Sequence, residues 1–256
     1  MHKEIRTVDK EKGILQVTTV SERWYVRDMV DPETGLPKYE FVPSVTWICE
    51  HYPKGIAYHK WLASKGWDEA EAIKNSAGDK GSRVHYAIRD LIEGKTVAID
   101  AKYKSSSNEE PKELSLEEYE CVMSFADWFK ETKPEFADCE FTVFGEGYAG
   151  TVDLLCSIGG EKFLVDFKTS QSIWPSHRLQ VSAYKHALDL EESEREKINL
   201  AILQVGYRLN KKCFKWTEVE DQFNLFLAAK EIWKNEQAGV YPSQKDYPLQ
   251  IKLDIK

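Results

Sequence analysis

Gly150-Thr151-Val152-Asp153-Leu154-Leu155-Cys156-Ser157-Ile158 and Lys162-Phe163-Leu164-Val165-Asp166-Phe167-Lys168 stand on either side of Gly159-Gly160, and their reading decides the fold. Both flanks are rich in aliphatic and aromatic residues, and paired glycines adopt the positive φ of a tight turn, so the stretch predicts a β-hairpin. A further strand pattern, Glu140 to Phe144, precedes it across a Gly145-Glu146-Gly147 turn, and this part of the sheet is expected to be antiparallel. Residues two apart on a strand project from one face, so Asp166 and Lys168 lie side by side while Val165 and Phe167 point the opposite way. The turn brings Asp153, on the neighbouring strand, across from Asp166.

Outward from this hairpin, Ser115-Leu116-Glu117-Glu118 spells a capping box, and Tyr119, Val122, Phe125, Ala126 and Phe129 form a helical stripe that ends before Pro134. Downstream the pattern predicts a helix over 177–190, an apolar strand over 198–207, a short strand over 213–216 and a helix over 218–238. The last helix opens on Thr217 and Glu220, a second capping-box spelling, and closes at Gly239. From Ser115 the order is αβββαβ followed by βα. That places the chain in the α/β class, with an α+β type mixed sheet.

Upstream, alternation over 14–45 with Asp31-Pro32-Glu33-Thr34-Gly35 as a turn predicts a hairpin, and short helices are expected over 44–50 and 57–66. Ser82 reads as the cap of a helix to Gly94, with Val84, Ile88 and Leu91 on its apolar face and His85 at the edge of the stripe. Residues 102–111, polar and serine-rich, read as a mobile loop. No repeat or composition break divides the chain. The expectation is one domain over 1–256, with an N-terminal hairpin and helices (1–112), a catalytic core (113–217) and a C-terminal helix and tail (218–256).

The 256 residues, 42 % hydrophobic, suffice for a sizeable core, and nothing approaches the roughly 20 apolar residues of a membrane span. The chain reads as a cytoplasmic protein without a membrane partner. Five widely spaced cysteines, Cys49, Cys121, Cys139, Cys156 and Cys213, suggest neither a disulfide framework nor a close-spaced metal cluster. A net charge of −8 argues against a nucleic-acid coat protein but allows a locally positive cleft. Between Phe163 and His186 a single acid, Asp166, faces Lys168, Arg178 and Lys185, which suits a phosphate backbone. The acidic runs 191–196 and Glu117-Glu118 read as solvated helix faces.

Two carboxylates and a lysine converging on one sheet face suit Mg²⁺ or Mn²⁺, hard ions that prefer oxygen ligands. Such a centre serves phosphodiester hydrolysis, because the ion lowers the pKa of a bound water and offsets charge on the phosphate while a lysine orients or deprotonates the nucleophile. The bland reading of an Asp-x-Lys pair is a solvated strand end. Against it stand the apolar run Phe163-Leu164-Val165 and the second acid one hairpin away.

Four segments in order, Gly81-Ser82-Arg83-Val84-His85, Gly150-Thr151-Val152-Asp153, Val165-Asp166-Phe167-Lys168-Thr169-Ser170 and Gln180-Val181-Ser182-Ala183-Tyr184, resemble the motifs of PD-(D/E)xK nucleases. The likeness is to their RecB-like exonuclease branch, which includes the mitochondrial genome maintenance exonuclease. Pro43-Ser44-Val45-Thr46 followed by Trp61 is similar to the opening of that last enzyme, so the resemblance spans roughly residues 43–190.

It implies a restriction-endonuclease-like αβββαβ core with helical N-terminal additions and a Mg²⁺- or Mn²⁺-dependent DNA exonuclease in recombination, repair or phage DNA metabolism. By the resemblance His85, Asp153 and Asp166 ligate the metal with the Phe167 carbonyl oxygen, Lys168 is catalytic, and Glu140 takes the place of a further acid. Taken as residues alone, Glu140 also reads as solvent-facing and His85 as a satisfied core histidine.

Gln180 and Tyr184, one helical turn apart, share a face and can reach DNA or brace the metal site, or form ordinary helix surface. Thr169 and Ser170 can hydrogen-bond phosphate, or simply form a turn. Trp174 can stack on an unpaired base, although an isolated tryptophan is more often packing. The expected partner is DNA, as single strands or duplex ends, with a recombinase or single-strand-binding protein as a compatible companion. The cysteines that hold an iron–sulfur cluster in some relatives are not spelled here, nor is a helicase P-loop. Rival readings are a structure-specific endonuclease and a non-catalytic DNA-binding or adaptor protein that retains the fold. The absence of a glycine-rich nucleotide loop and of a nucleophile elbow argues against a small-molecule enzyme.

Overall fold

The computed structural model describes residues 4–9, 13–18, 22–105 and 110–240. In chain order, strands β1 (Glu4–Asp9), β2 (Ile14–Thr18), β3 (Arg23–Val30) and β4 (Pro37–Pro43) precede helices α1 (Val45–Glu50), α2 (Ile56–Lys65) and α3 (Trp67–Ile92). The two-residue strands β5 (Lys102–Tyr103) and β6 (Lys112–Glu113) lead to α4 (Leu116–Thr132), then β7 (Glu135–Gly145), β8 (Tyr148–Ile158) and β9 (Glu161–Lys168). There follow α5 (Pro175–His186), a single turn α6 (Glu192–Arg195), β10 (Ile198–Val205), β11 (Phe214–Val219) and α7 (Phe223–Glu236).

The central sheet has the order β11-β10-β9-β8-β7. The β7-β8-β9 meander is antiparallel as expected, whereas β10 runs parallel to β9, with Ile202 beside Asp166 and Gln204 beside Lys168. A parallel neighbour requires a crossover, which α5 supplies. The sheet is therefore mixed and the class α/β.

Apolar residues cover both faces. Val45 and Ile48 of α1, Leu179, Val181 and Ala183 of α5 and Phe226 and Ala229 of α7 pack with Val152, Leu164 and Ile202. Val84, Ala87 and Ile88 of α3 and Val122, Phe125 and Trp128 of α4 pack with Leu154, Val165 and Phe167. Among the described residues no helix is long and apolar enough to cross a membrane.

The N-terminal pattern gives more than a hairpin: β1 to β4 form a four-stranded antiparallel sheet, joined to the central one where Ser44 bridges Ala149. Ser44 also caps α1, its hydroxyl accepting from Trp47 N at 3.1 Å. Edge-to-face contacts among Trp24, Trp47 and Trp233 tie this sheet and α1 to α7.

Several sequence expectations are corrected. The helix that carries His85 begins at Trp67, and Ser82 lies inside it, donating back to the Gly78 carbonyl at 3.1 Å. α5 starts two residues early because Pro175, with φ preset, occupies its first turn, and it ends at His186. Thr217 caps no helix: β11 continues through Val219 because Thr217, Glu218 and Val219 pair with Ile202, Ala201 and Leu200. Ladder pairing outweighs the local cap signal, and α7 begins only at Phe223.

Glu118 is 3 % exposed, not solvated: it completes the capping box with Ser115 and receives Arg83. The acidic run 191–196 lies on the surface as read. Within the serine-rich segment, 106–109 lie outside the described residues, and the flanks pair as the β5-β6 ribbon. All five cysteines are free thiols, and Cys49, Cys121 and Cys156 are buried.

Candidate metal centre

The β8-β9 register, Leu154 opposite Val165, sets Asp153 one step further along, across from Asp166. Both acids are nearly closed off from solvent, at 7 % and 1 % exposure. Buried carboxylates persist only when partnered. Asp153 Oδ2 accepts from Phe167 N at 2.7 Å, and its Oδ1 lies 3.2 Å from His85 Nδ1. The same imidazole nitrogen is 3.9 Å from Glu140 Oε1, while Nε2 is 3.1 Å from the Phe167 carbonyl oxygen. Three elements thus meet: α3 brings His85, β7 brings Glu140 and β8 brings Asp153.

Glu140 reaches this point through an unusual backbone. Its φ is +51°, a left-handed value that a non-glycine residue adopts at a cost of about 1–3 kcal/mol. Nothing in the sequence marks that conformation. Its ladder neighbours Cys139 and Phe141 pair with Leu154 and Val152, so the twist is local.

The electrostatics follow from crowding. Burial pulls the His85 imidazolium down, but Asp153 and Glu140 outweigh it and push the pKa up to about 9. Burial likewise opposes ionisation of Asp153, yet His85 and Lys168 hold its carboxyl below the usual range. Asp166 goes the other way: burial raises it to about 6, against the pull of Lys168 and with a push from Asp153.

Donor atoms of His85, Glu140 and Asp153 lie within 4.8 Å of one another, one imidazole and two carboxylates, a set that suits a divalent ion. Asp166 stands beside this group rather than within it. Its Oδ2 makes a 2.6 Å ion-pair contact with Lys168 Nζ. The two-residue spacing on β9 holds the pair together. The residues present therefore fit a metal ion, and the Asp166 carboxylate, ion-paired with Lys168, is a further oxygen donor beside them.

From Lys168 a hydrogen-bonded chain leads to α5: Nζ donates to Gln180 Oε1 at 3.2 Å, and Gln180 Nε2 donates to Tyr184 OH at 2.7 Å. Gln180 and Tyr184 thus brace the lysine. No protein-family model and no curated protein matches this chain.

The centre opens into a cleft of about 630 Å³ lined by Lys168, Thr169, Ser170, Gln180 and Tyr184, and also by Arg23, Lys54 and Arg89. The Ser170 hydroxyl donates to the Ser172 carbonyl, a turn contact. Arg178 and Trp174 do not line the cleft: Arg178 is exposed on α5, and Trp174 precedes that helix 53 % exposed, its backbone N–H donating to His177 Nδ1 at 3.3 Å. His177 accepts because burial, with Lys168 and Lys54, lowers its pKa to about 3.

Sequence reasoning missed Tyr25, whose hydroxyl is 3.0 Å from Thr151 Oγ1 at the cleft wall. A contact between residues 126 apart leaves no local signal.

Gly150 has a packing reason. A Cβ there would meet Tyr184 Cε1 at 2.3 Å and Cζ at 3.2 Å. Gly150→Ala is expected to push the Tyr184 ring aside and destabilise by about 1–3 kcal/mol, the usual cost of overpacking. Chemical denaturation checks this, and a double-mutant cycle with Tyr184→Ala should remove most of the penalty.

Proposed function

We propose that this protein is a metal-dependent DNA nuclease of the PD-(D/E)xK type, and specifically an exonuclease. The carrying observation is the convergence of His85, Glu140 and Asp153 on one point, with the Asp166–Lys168 ion pair beside it at the floor of a cleft. In this reading α4-β7-β8-β9-α5-β10 is the αβββαβ core of that superfamily. The preference for exonucleolytic action rests on the likeness of Gln180 and Tyr184 to the RecB-like motif.

His85, Glu140 and Asp153 would hold Mg²⁺ or Mn²⁺, with the Asp166 carboxylate and the Phe167 carbonyl adjoining. When bound, the ion supplies Lewis acidity toward the phosphate and an acidified water. Lys168, fixed between Asp166 and Gln180 as an ammonium, orients the attacking water and offsets charge on the phosphate. Arg23, Lys54 and Arg89 attract the phosphate backbone into the cleft despite the net charge of −8. A recombinase or single-strand-binding protein would present DNA ends to such an enzyme.

Digestion of end-labelled linear and closed circular DNA, single- and double-stranded, tests the proposal. The expected result is stepwise shortening of linear substrates with Mg²⁺ or Mn²⁺, intact circles, and no cleavage in chelator. Cleaved circles would replace the exonuclease by an endonuclease. Activity that survives the chelator would remove the metal-dependent mechanism.

A further inference from the structure

The segment 206–215, Gly-Tyr-Arg-Leu-Asn-Lys-Lys-Cys-Phe-Lys, holds Arg208, Lys211, Lys212 and Lys215 and no acid, in a chain whose net charge is −8. Residues 206–213 form the turn between β10 and β11 and Lys215 lies at the start of β11; all four cationic residues are exposed. The turn is ordered by its own bonds: Tyr207 N donates to the Cys213 carbonyl at 2.7 Å and Asn210 Nδ2 to the Phe214 carbonyl at 2.8 Å. Lys215 lies over the Tyr207 ring and Lys212 over Phe214, at 5.3 and 5.7 Å from the centroids. Leu209, 78 % exposed, stands among the cations.

This turn is fastened to the cleft. Gln171 Nε2 donates to the Gly206 carbonyl, and Arg208 N donates to Gln171 Oε1, both at 2.9 Å. Gln171 directly follows Thr169 and Ser170, which line the cleft. Across the lip, Lys80 adjoins Gly81, whose Cβ position is 3.8 Å from Thr169 Oγ1. Lys80 and Arg208 both contact Glu117, at 3.4 and 2.9 Å, and Lys212 contacts Glu131. These are exposed pairs, individually worth little, so a polyanion can exchange them at small cost.

We infer that Lys80 and the β10-β11 turn, through Arg208, Lys211 and Lys212, form an accessory track for the DNA phosphate backbone running outward from the Thr169–Gln171 lip of the cleft. The inference rests on the nuclease reading, since it takes the occupant of the cleft to be DNA. Glu117 sits in the track as a counterion and weakens it.

Binding of a fluorescent oligonucleotide in chelator, measured against salt, isolates the track from cleavage. Each neutralised phosphate contributes about 0.7 to the logarithmic salt slope on single strands and about 0.9 on duplex. Arg208→Gln/Lys211→Gln/Lys212→Gln should therefore flatten the slope by about 2 on single strands and weaken binding on the order of a hundredfold at 0.1 M salt. Glu117→Gln, opposite in sign, should tighten binding several-fold. A triple variant with the wild-type slope, or a Glu117→Gln protein that binds no tighter, overturns the track. Wild-type protein that binds no DNA overturns it as well. The nuclease reading fails by a separate sign, end-labelled DNA left intact by wild-type protein with Mn²⁺.

Discussion

Asp153→Asn is expected to abolish Mn²⁺ binding in the cleft and to lower DNA cleavage by about 10³-fold or more. Loss of an outer-shell partner of a metal ligand commonly costs roughly 10–100-fold, and in the proposed centre this substitution removes a ligand itself. Asparagine has nearly the shape of aspartate and can still accept from Phe167 N, so the β8-β9 hairpin should persist and the deficit should be chemical. Removing the charge also leaves His85 with Glu140 as its remaining carboxylate neighbour, at 3.9 Å. Lys168→Ala makes the contrast: it removes no donor of the three-residue group, so it should retain Mn²⁺ affinity while slowing cleavage by about 10²–10³-fold, the usual range for losing one group that offsets transition-state charge. Calorimetric titration with Mn²⁺ and an end-labelled DNA assay separate the two effects. Cleavage by Asp153→Asn at the wild-type rate would remove Asp153 from the ligand set.

How far the site was legible depends on the range of each signal. Asp166 and Lys168 could be placed side by side because strand period is strict, and Asp153 could be set across from them because Gly159-Gly160 fixes the hairpin. The Ser115 capping box marked the start of α4 for the same reason, a bond made within four residues. Longer-range features escaped. The left-handed Glu140 is strain imposed by its surroundings, and the Asp166–Lys168 ion pair beside the group is a choice among side-chain conformers. Thr217 with Glu220 shows the converse failure, a correct local spelling overruled by pairing with β10. A mixed sheet was expected, but an apolar strand reads alike in either direction, so the sequence did not say that β10 is the strand running parallel to β9.

Arg83→Met is expected to destabilise the fold by about 3–5 kcal/mol, the range for removing one partner of a buried ion pair. Arg83 and Glu118 have side chains only 10 % and 4 % exposed, with Nη2 at 2.7 Å and Nε at 2.9 Å from the same carboxylate oxygen. The pair fastens α3 to α4 two residues before His85, so its loss should also loosen the candidate metal centre. Methionine nearly preserves volume, which makes an unopposed buried carboxylate the main cost; Arg83→Met/Glu118→Leu should accordingly recover most of the stability. The pH dependence gives a second check. Burial opposes ionisation of Glu118, but hydrogen bonds from Ser115 and Arg83 hold its carboxyl below the ordinary 4.5, so in the wild type its contribution is present above that pH and is lost as pH falls. Without Arg83 burial weighs more heavily against the charge and the folded-state pKa rises, so protonation relieves the variant. The stability gap between the two proteins should therefore narrow as pH falls from 7 toward 4. Urea unfolding at both pH values measures it, and a gap that stays constant would mean that the arginine acts through packing of its methylene stem rather than through its charge.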